Sequence, residues 1–166
     1  MTATPSRPAS PDLLLCLYER PGFKLRRAHQ VALSMFAEEC RTFEVTTTQY
    51  GILLALHARP GLDQAGVAQA LGLDRSTTGM VLGLLEARGL VTRAQHATDG
   101  RRRVLDLAPK GEALLAAIGP AAEQARRRLL APLTRAEAAA LAALLDRLLE
   151  HHDAQVRVPL RRTEKD

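Results

Sequence analysis

LDQAGVAQALGLDRSTTGMVLGLLEARGLVTRAQHATDGRRRVLDL, residues Leu62–Leu107, decides the fold. A short helix is expected from Asp63 to Leu71. Gly72 ends it and Leu73 packs the turn. Asp74 caps a second helix that runs to Arg88, and Gly89 closes it, as glycine does where a helix ends in a left-handed residue. Two helices joined by a short turn containing glycine form a helix-turn-helix pattern. Leu90-Val91 and Val104-Leu105-Asp106-Leu107 then flank Asp99-Gly100-Arg101-Arg102-Arg103. Asp-Gly between two extended runs signals a hairpin turn. The stretch therefore predicts a winged helix with three arginines at the tip of its wing.

Such a unit is suited to DNA. The first turn of the second helix is Arg75-Ser76-Thr77-Thr78. Arg75 suits a guanine or a phosphate, and Ser76 and Thr78 suit base edges or backbone. Thr77 either joins them or turns inward with Val81, Leu84 and Leu85. Ser and Thr are also ordinary first-turn residues, so the basic wing is what favours DNA. Arg101, Arg102 and Arg103 alternate sides along an extended strand, so only one or two face a narrow minor groove together. Asp99 is expected to position Arg101.

Outward from this stretch the chain reads as helices. Residues 11–18, PDLLLCLY, are expected to form a short one, with Pro11 near its first turn. Pro21-Gly22 interrupts, and Phe23 to about Cys40 forms a long amphipathic helix. Its apolar face is Leu25, Ala28, Ala32, Met35 and Phe36, with Val31 beside them. Thr46-x-x-Gln49 fits a capping box. It opens a helix whose buried stripe is expected to be Tyr50, Leu53, Leu54 and Leu56-His57, stopped by Arg59-Pro60-Gly61. After the wing, Pro109 begins a helix buried through Leu114, Ala117, Ile118, Ala121 and Ala125. Gly119-Pro120 kinks it without ending it, and Pro132 ends it. Thr134-x-x-Glu137 is a second capping box, before Ala138, Leu141, Leu144, Leu145 and Leu148 at core spacing. The tail RVPLRRTEKD is charged and expected to fray. One 166-residue chain has too little material to cover all these apolar stripes. A homodimer through the first and last helices covers them and suits a pseudo-palindromic site on double-stranded DNA.

Composition bounds the alternatives. The net charge is +5 and the pI about 9.9, which fits an acidic polymer as partner. There is no Trp, so stacking on unpaired bases is poorly supplied. Cys16 and Cys40 stand in no metal spacing and read as reduced thiols of a cytoplasmic protein. No apolar run reaches the length of a membrane span, and residues 1–10 lack the apolar core of a signal peptide. His29, His57, His96, His151 and His152 have no metal-ligand spacing beyond the adjacent last pair. No phosphate-binding glycine loop or nucleophile elbow occurs. Neither an enzyme nor a cofactor or metal site is expected. A winged helix serving only protein contacts would not need the basic wing.

The set of motifs resembles the MarR (multiple antibiotic resistance regulator) family across about residues 20–150. Asp99-Gly100-Arg101 and Leu107-Ala108-Pro109-Lys110-Gly111 resemble its wing motif, with Ala108 where the family has Thr. Leu71-Gly72-Leu73-Asp74-Arg75-Ser76-Thr77 and Leu84-Leu85-Glu86-Ala87-Arg88-Gly89-Leu90-Val91 are similar too. Leu25-Arg26-Arg27-Ala28-His29-Gln30 and Phe43-Glu44-Val45-Thr46-Thr47-Thr48-Gln49-Tyr50 resemble members that repress aromatic-acid catabolism genes. The resemblance implies a mainly α fold with a small β wing. It also implies a dimeric repressor of an aromatic-acid catabolism or efflux operon, released from its operator by a small aromatic carboxylate. Arg26, His29, Gln30 and Leu33 would then border the effector pocket, with Arg26 and His29 holding a carboxylate and a ring hydroxyl. Arg26 and His29 equally suit a dimer interface. A coupling of ~1–3 kcal/mol between pocket and DNA would suffice for release. A peroxide sensor using Cys16 is the alternative within the family, though only Tyr18 and Tyr50 are present to assist a thiolate.

The expected layout is a disordered tail at 1–10 and N-terminal helices at 11–45, for dimerisation and the pocket edge. The winged helix-turn-helix follows at 46–107, then C-terminal dimerisation helices at 108–155 and a charged tail at 156–166.

Overall fold

The computed structural model describes residues 13–95, 103–156 and 158–160. Its elements are α1 (Leu13–Tyr18), α2 (Pro21–Glu39), a 3-10 turn (Arg41–Phe43), α3 (Thr47–Ala58), α4 (Gln64–Leu71) and α5 (Arg75–Ala87). Strands β1 (Val91–Gln95) and β2 (Arg103–Leu107), then helices α6 (Pro109–Leu130) and α7 (Arg135–His152), follow. The chain is mostly helical with one two-stranded sheet, as expected.

Local chemistry explains most boundaries. The Thr46 and Thr134 hydroxyls accept from the backbone N–H groups of Gln49 and Glu137, whose side chains reach back, so both capping boxes form. Asp63 and Asp74 cap α4 and α5. Gly72 ends α4 at φ 64°, a left-handed conformation that a Cβ would disfavour. The long helix starts earlier than Phe23. Pro21 occupies its first turn, where a missing N–H loses no intrahelical bond. Pro120 lies inside α6 and does not end it.

The lobe α3–β2 holds the core. Ile52, Leu53, Leu56, Val67, Val81, Leu82 and Leu85 are buried against Leu90, Val91 and Leu105. β1 and β2 pair antiparallel from Val91↔Leu107 to Gln95↔Arg103. Leu62 adds a bridge to Leu105, whose N–H donates to the Leu62 carbonyl at 2.8 Å. The α3–α4 loop is thereby pinned to the wing. Phe36 and Cys40 of the α2 end join the same core, as do Leu115, Ile118 and Ala125 of α6. Arg128 on α6 closes this junction with bonds to Glu39 (2.6 Å) and Glu38 (3.0 Å).

Several expected faces shift. On α3 the buried residues are Ile52, Leu53 and Leu56; Leu54 is 42% exposed and His57 faces outward, 2.9 Å from Glu112. The stripe turns because α3 packs against α4, α5, β2, α6 and α2 together. On α6 Leu115 replaces Leu114 and Ala117 as the buried position. On α2 only Phe36 is buried, and Leu25, Ala28 and Val31 are exposed. On α7 no residue is buried, and Leu141, Leu144 and Leu148 are 42%, 57% and 50% exposed. Spacing identifies an apolar face, but what covers it depends on a neighbour. Residues 158–160 return to the lobe: the Leu160 N–H donates to Asp153 at 2.9 Å, and its side chain lies beside Gly72.

Candidate nucleic-acid interface and adjoining groove

The first turn of α5 is organised by Asp74. Its carboxylate accepts from the Thr77 N–H (2.9 Å) and the Thr77 hydroxyl (2.6 Å). The Asp74 carbonyl accepts from the Thr78 hydroxyl at 2.8 Å, and Thr78 is fully buried. Thr78 is therefore not positioned to touch DNA, contrary to expectation. Thr78 stands three and four residues before Val81 and Leu82 and shares their inward face. Thr77 is half-buried and engaged by the cap. Arg75 and Ser76 are exposed. Leu84, expected inward, is 52% exposed, and Met80 is 64% exposed. The open face of α5 is thus Ser76, Met80, Gly83 and Leu84, with Arg75 at its start. Sequence periodicity missed Met80 because an apolar residue on a helix is ordinarily assigned to the core.

Two contacts set the helix in place. Gln64 of α4 donates to the Arg75 carbonyl at 3.1 Å. Arg93 of β1 makes a two-pronged contact with Glu86 at 3.1 and 3.0 Å, joining wing base to recognition helix. A planar guanidinium matches a carboxylate in this way, which fixes orientation as well as distance. Arg103 is exposed at the start of β2. Asp99, Arg101 and Arg102 lie outside the described residues.

A groove of about 640 Å³ opens between α2 and the start of α3. Leu33, Phe36, Cys40 and Val45 give it apolar walls. His29, Arg41, Thr47 and Thr48 add polar groups, and Glu44 one acidic side chain. The size is that of a small-molecule site, and the amino end of α3 presents a partial positive charge. His29 and Leu33 line the groove, whereas Arg26 and Gln30 do not. The Arg26 guanidinium stacks 4.9 Å from the Phe23 ring, and Gln30 accepts from Arg27 at 2.7 Å. Arg26 stands one turn before His29, with its guanidinium turned to Phe23 instead of the groove. Arg41, which sequence reasoning missed, is the cation in the groove; its position just beyond a helix end carried no periodic signal. Burial pushes the Cys40 thiol above its ordinary pKa, with Glu39 adding to the effect. The buried thiol is thereby kept protonated, while Cys16 is exposed on α1.

The groove and the recognition helix share a loop. Arg88, the C-cap of α5, donates to the Glu44 carbonyl at 2.7 Å and the Phe43 carbonyl at 3.3 Å. Glu44 sits at φ 52°, alone among the described non-glycine residues in having a positive φ.

Residues 43–102 match the MarR family model. A proposed transcriptional regulatory protein for the hcr operon of Thauera aromatica is 39% identical over 128 residues, covering 76% of this chain and 77% of that protein. The chain belongs to the MarR family. Among solved structures, BpsR of Bordetella bronchiseptica superposes with a TM-score of 0.75 at 30% identity, covering 78% of this chain and 93% of that one. DNA binding by BpsR is regulated by 6-hydroxynicotinic acid. The repressor CouR, bound to a 23-mer DNA duplex, superposes with a TM-score of 0.75 at 33% identity, covering 80% and 94%. As a MarR-family transcriptional regulator, the chain carries its helix-turn-helix in α4 and α5 and its wing in β1 and β2. No helix among the described residues is long and apolar enough to cross a membrane.

Proposed function

We propose that this MarR-family regulator is a cytoplasmic homodimeric repressor of an aromatic-acid catabolism or efflux operon. A small aromatic carboxylate releases it from a pseudo-palindromic operator. One observation carries the reading: a groove of effector size lies against the loop to which the recognition helix is hydrogen-bonded. Its apolar walls suit an aromatic ring. Arg41, His29 and the start of α3 suit a carboxylate and a ring hydroxyl, with Leu33 against the ring. Arg26 and Gln30 stand off the groove, and Arg26 joins only by leaving Phe23. BpsR, with its link to 6-hydroxynicotinic acid, supports the effector class by similarity.

On DNA, Arg75 and Ser76 meet base edges and phosphates from the first turn of α5, and Thr77 contributes from behind its cap. Met80 suits a thymine methyl group. Arg103, with Arg101 and Arg102, supplies the wing contacts, and Asp99 positions Arg101. Two copies join through the uncovered leucines of α1 and α7, which places two recognition helices on one face of a duplex.

Fluorescence anisotropy on the promoter fragment beside the gene tests this. Nanomolar-range binding that weakens with salt, and that benzoate- or nicotinate-class acids reverse, is expected. Binding unaffected by every aromatic acid would refute the effector class. Arg41→Ala and His29→Ala should bind DNA normally and lose the response. Arg26→Ala should retain most of it.

A further inference from the structure

We infer that Arg88 is the positioning residue through which the groove between α2 and α3 is coupled to the recognition helix. The inference rests on the reading of that groove as the effector site.

The Arg88 guanidinium spans the two structures. It donates to the carbonyls of Glu44 and Phe43 at 2.7 and 3.3 Å, across 44 and 45 residues of chain. Glu44 and Val45 form a wall of the groove. The Arg88 backbone N–H donates to Leu84 at 3.2 Å, and its carbonyl accepts from Lys110 at 2.9 Å. One side chain therefore ties the last turn of α5 to the groove wall. The loop it holds is suited to switching. A non-glycine residue in the left-handed region persists only where its surroundings impose that conformation. Two carbonyls on either side of that strained position accept from Arg88. An occupant that presses on Glu44 and Val45 shifts those carbonyls, and the guanidinium transmits the shift to α5. Both sites thus bias one element, which is the physical condition for coupling.

Ala37, exposed on α2, also lines the groove, so Ala37→Phe installs an occupant without any ligand. Operator affinity is measured for the wild type, A37F, R88Q and the double variant. A37F should weaken binding about tenfold when Arg88 is present, the scale of an ordinary allosteric coupling. In the R88Q background it should do so less than about twofold, because sites without a shared partner act additively. Arg88→Lys should restore part of the coupling, since an ammonium reaches one carbonyl but lacks the fork. R88K also keeps the cycle readable if R88Q loses helicity. Equal fold-changes in both backgrounds overturn the inference, and so does an A37F without effect in either. Salicylate added to the wild type separates this from the effector reading. A non-additive cycle with no response to salicylate or to any benzoate- or nicotinate-class acid supports Arg88 coupling and removes the aromatic effector. An additive cycle with a normal salicylate response does the reverse.

Discussion

Thr78→Val separates a structural hydroxyl from a DNA contact. The Thr78 hydroxyl donates to the Asp74 carbonyl at 2.8 Å from a fully buried position, and the Thr78 N–H donates to the same oxygen at 3.0 Å. Valine keeps the volume and the β-branch but removes one donor. The carbonyl keeps its backbone partner, so no buried acceptor is orphaned. The loss should lie at the low end of the range for a neutral hydrogen bond, about 0.5–1 kcal/mol. For a chain of this size that corresponds to a fall in Tm of roughly 1–4 °C. Operator affinity and its salt slope should stay within about twofold, because a phosphate or base contact is what would move them. The assay pairs thermal unfolding by circular dichroism with anisotropy at several salt concentrations. Ser76→Ala, at an exposed neighbour, should show the opposite pattern. A tenfold loss of operator affinity in T78V with unchanged Tm would mean that α5 presents Thr78 outward, and the assigned face would be wrong.

Gly111→Ala should be among the most damaging single substitutions, because an added Cβ collides with the Leu90 carbonyl. Backbone gives little, so a loss of about 1–3 kcal/mol or more is expected in denaturant unfolding. Leu144→Glu with Leu148→Glu should leave helicity intact, since both side chains are exposed in the single chain, and should yield monomers by sedimentation. A persistent dimer would place the interface elsewhere. Alkaline pH should destabilise the fold. Burial raises the Cys40 thiol, so the stabilisation it reports is complete below the unfolded-state pKa and is lost as pH rises through the folded one. The decline should begin near pH 8.5, the ordinary thiol value, with Tyr50, also raised by burial, adding to it at higher pH. Cys40→Ala should remove the thiol's part of that decline in unfolding measured from pH 7 to 11.

Signals confined to a few neighbouring residues were legible without coordinates. Capping boxes at Thr46 and Thr134, the aspartate cap at Asp74 and the glycine stop at Gly72 act over three or four residues. Their geometry is local, so the helix-turn-helix and its flanking helices could be placed from spacing alone. Failures came where two elements decide together. The buried face of α3 turned toward Ile52 because five elements pack against it, and Leu84 turned outward with Met80. Arg41 and Gln64 carry no periodic signal, and their roles arise from residues that approach only in three dimensions.

The sequence alone determined the element order and the winged helix-turn-helix, because turn chemistry and hydrophobic period are properties of short stretches, and its motifs carried the family resemblance. Only the tertiary structure decided which first-turn hydroxyl is buried, which of His29, Leu33, Arg26 and Gln30 reach one groove, and that Arg88 joins that groove to α5. Those outcomes depend on the rotation of each helix about its axis and on long-range contacts. Spacing along the chain constrains the first loosely and the second hardly at all.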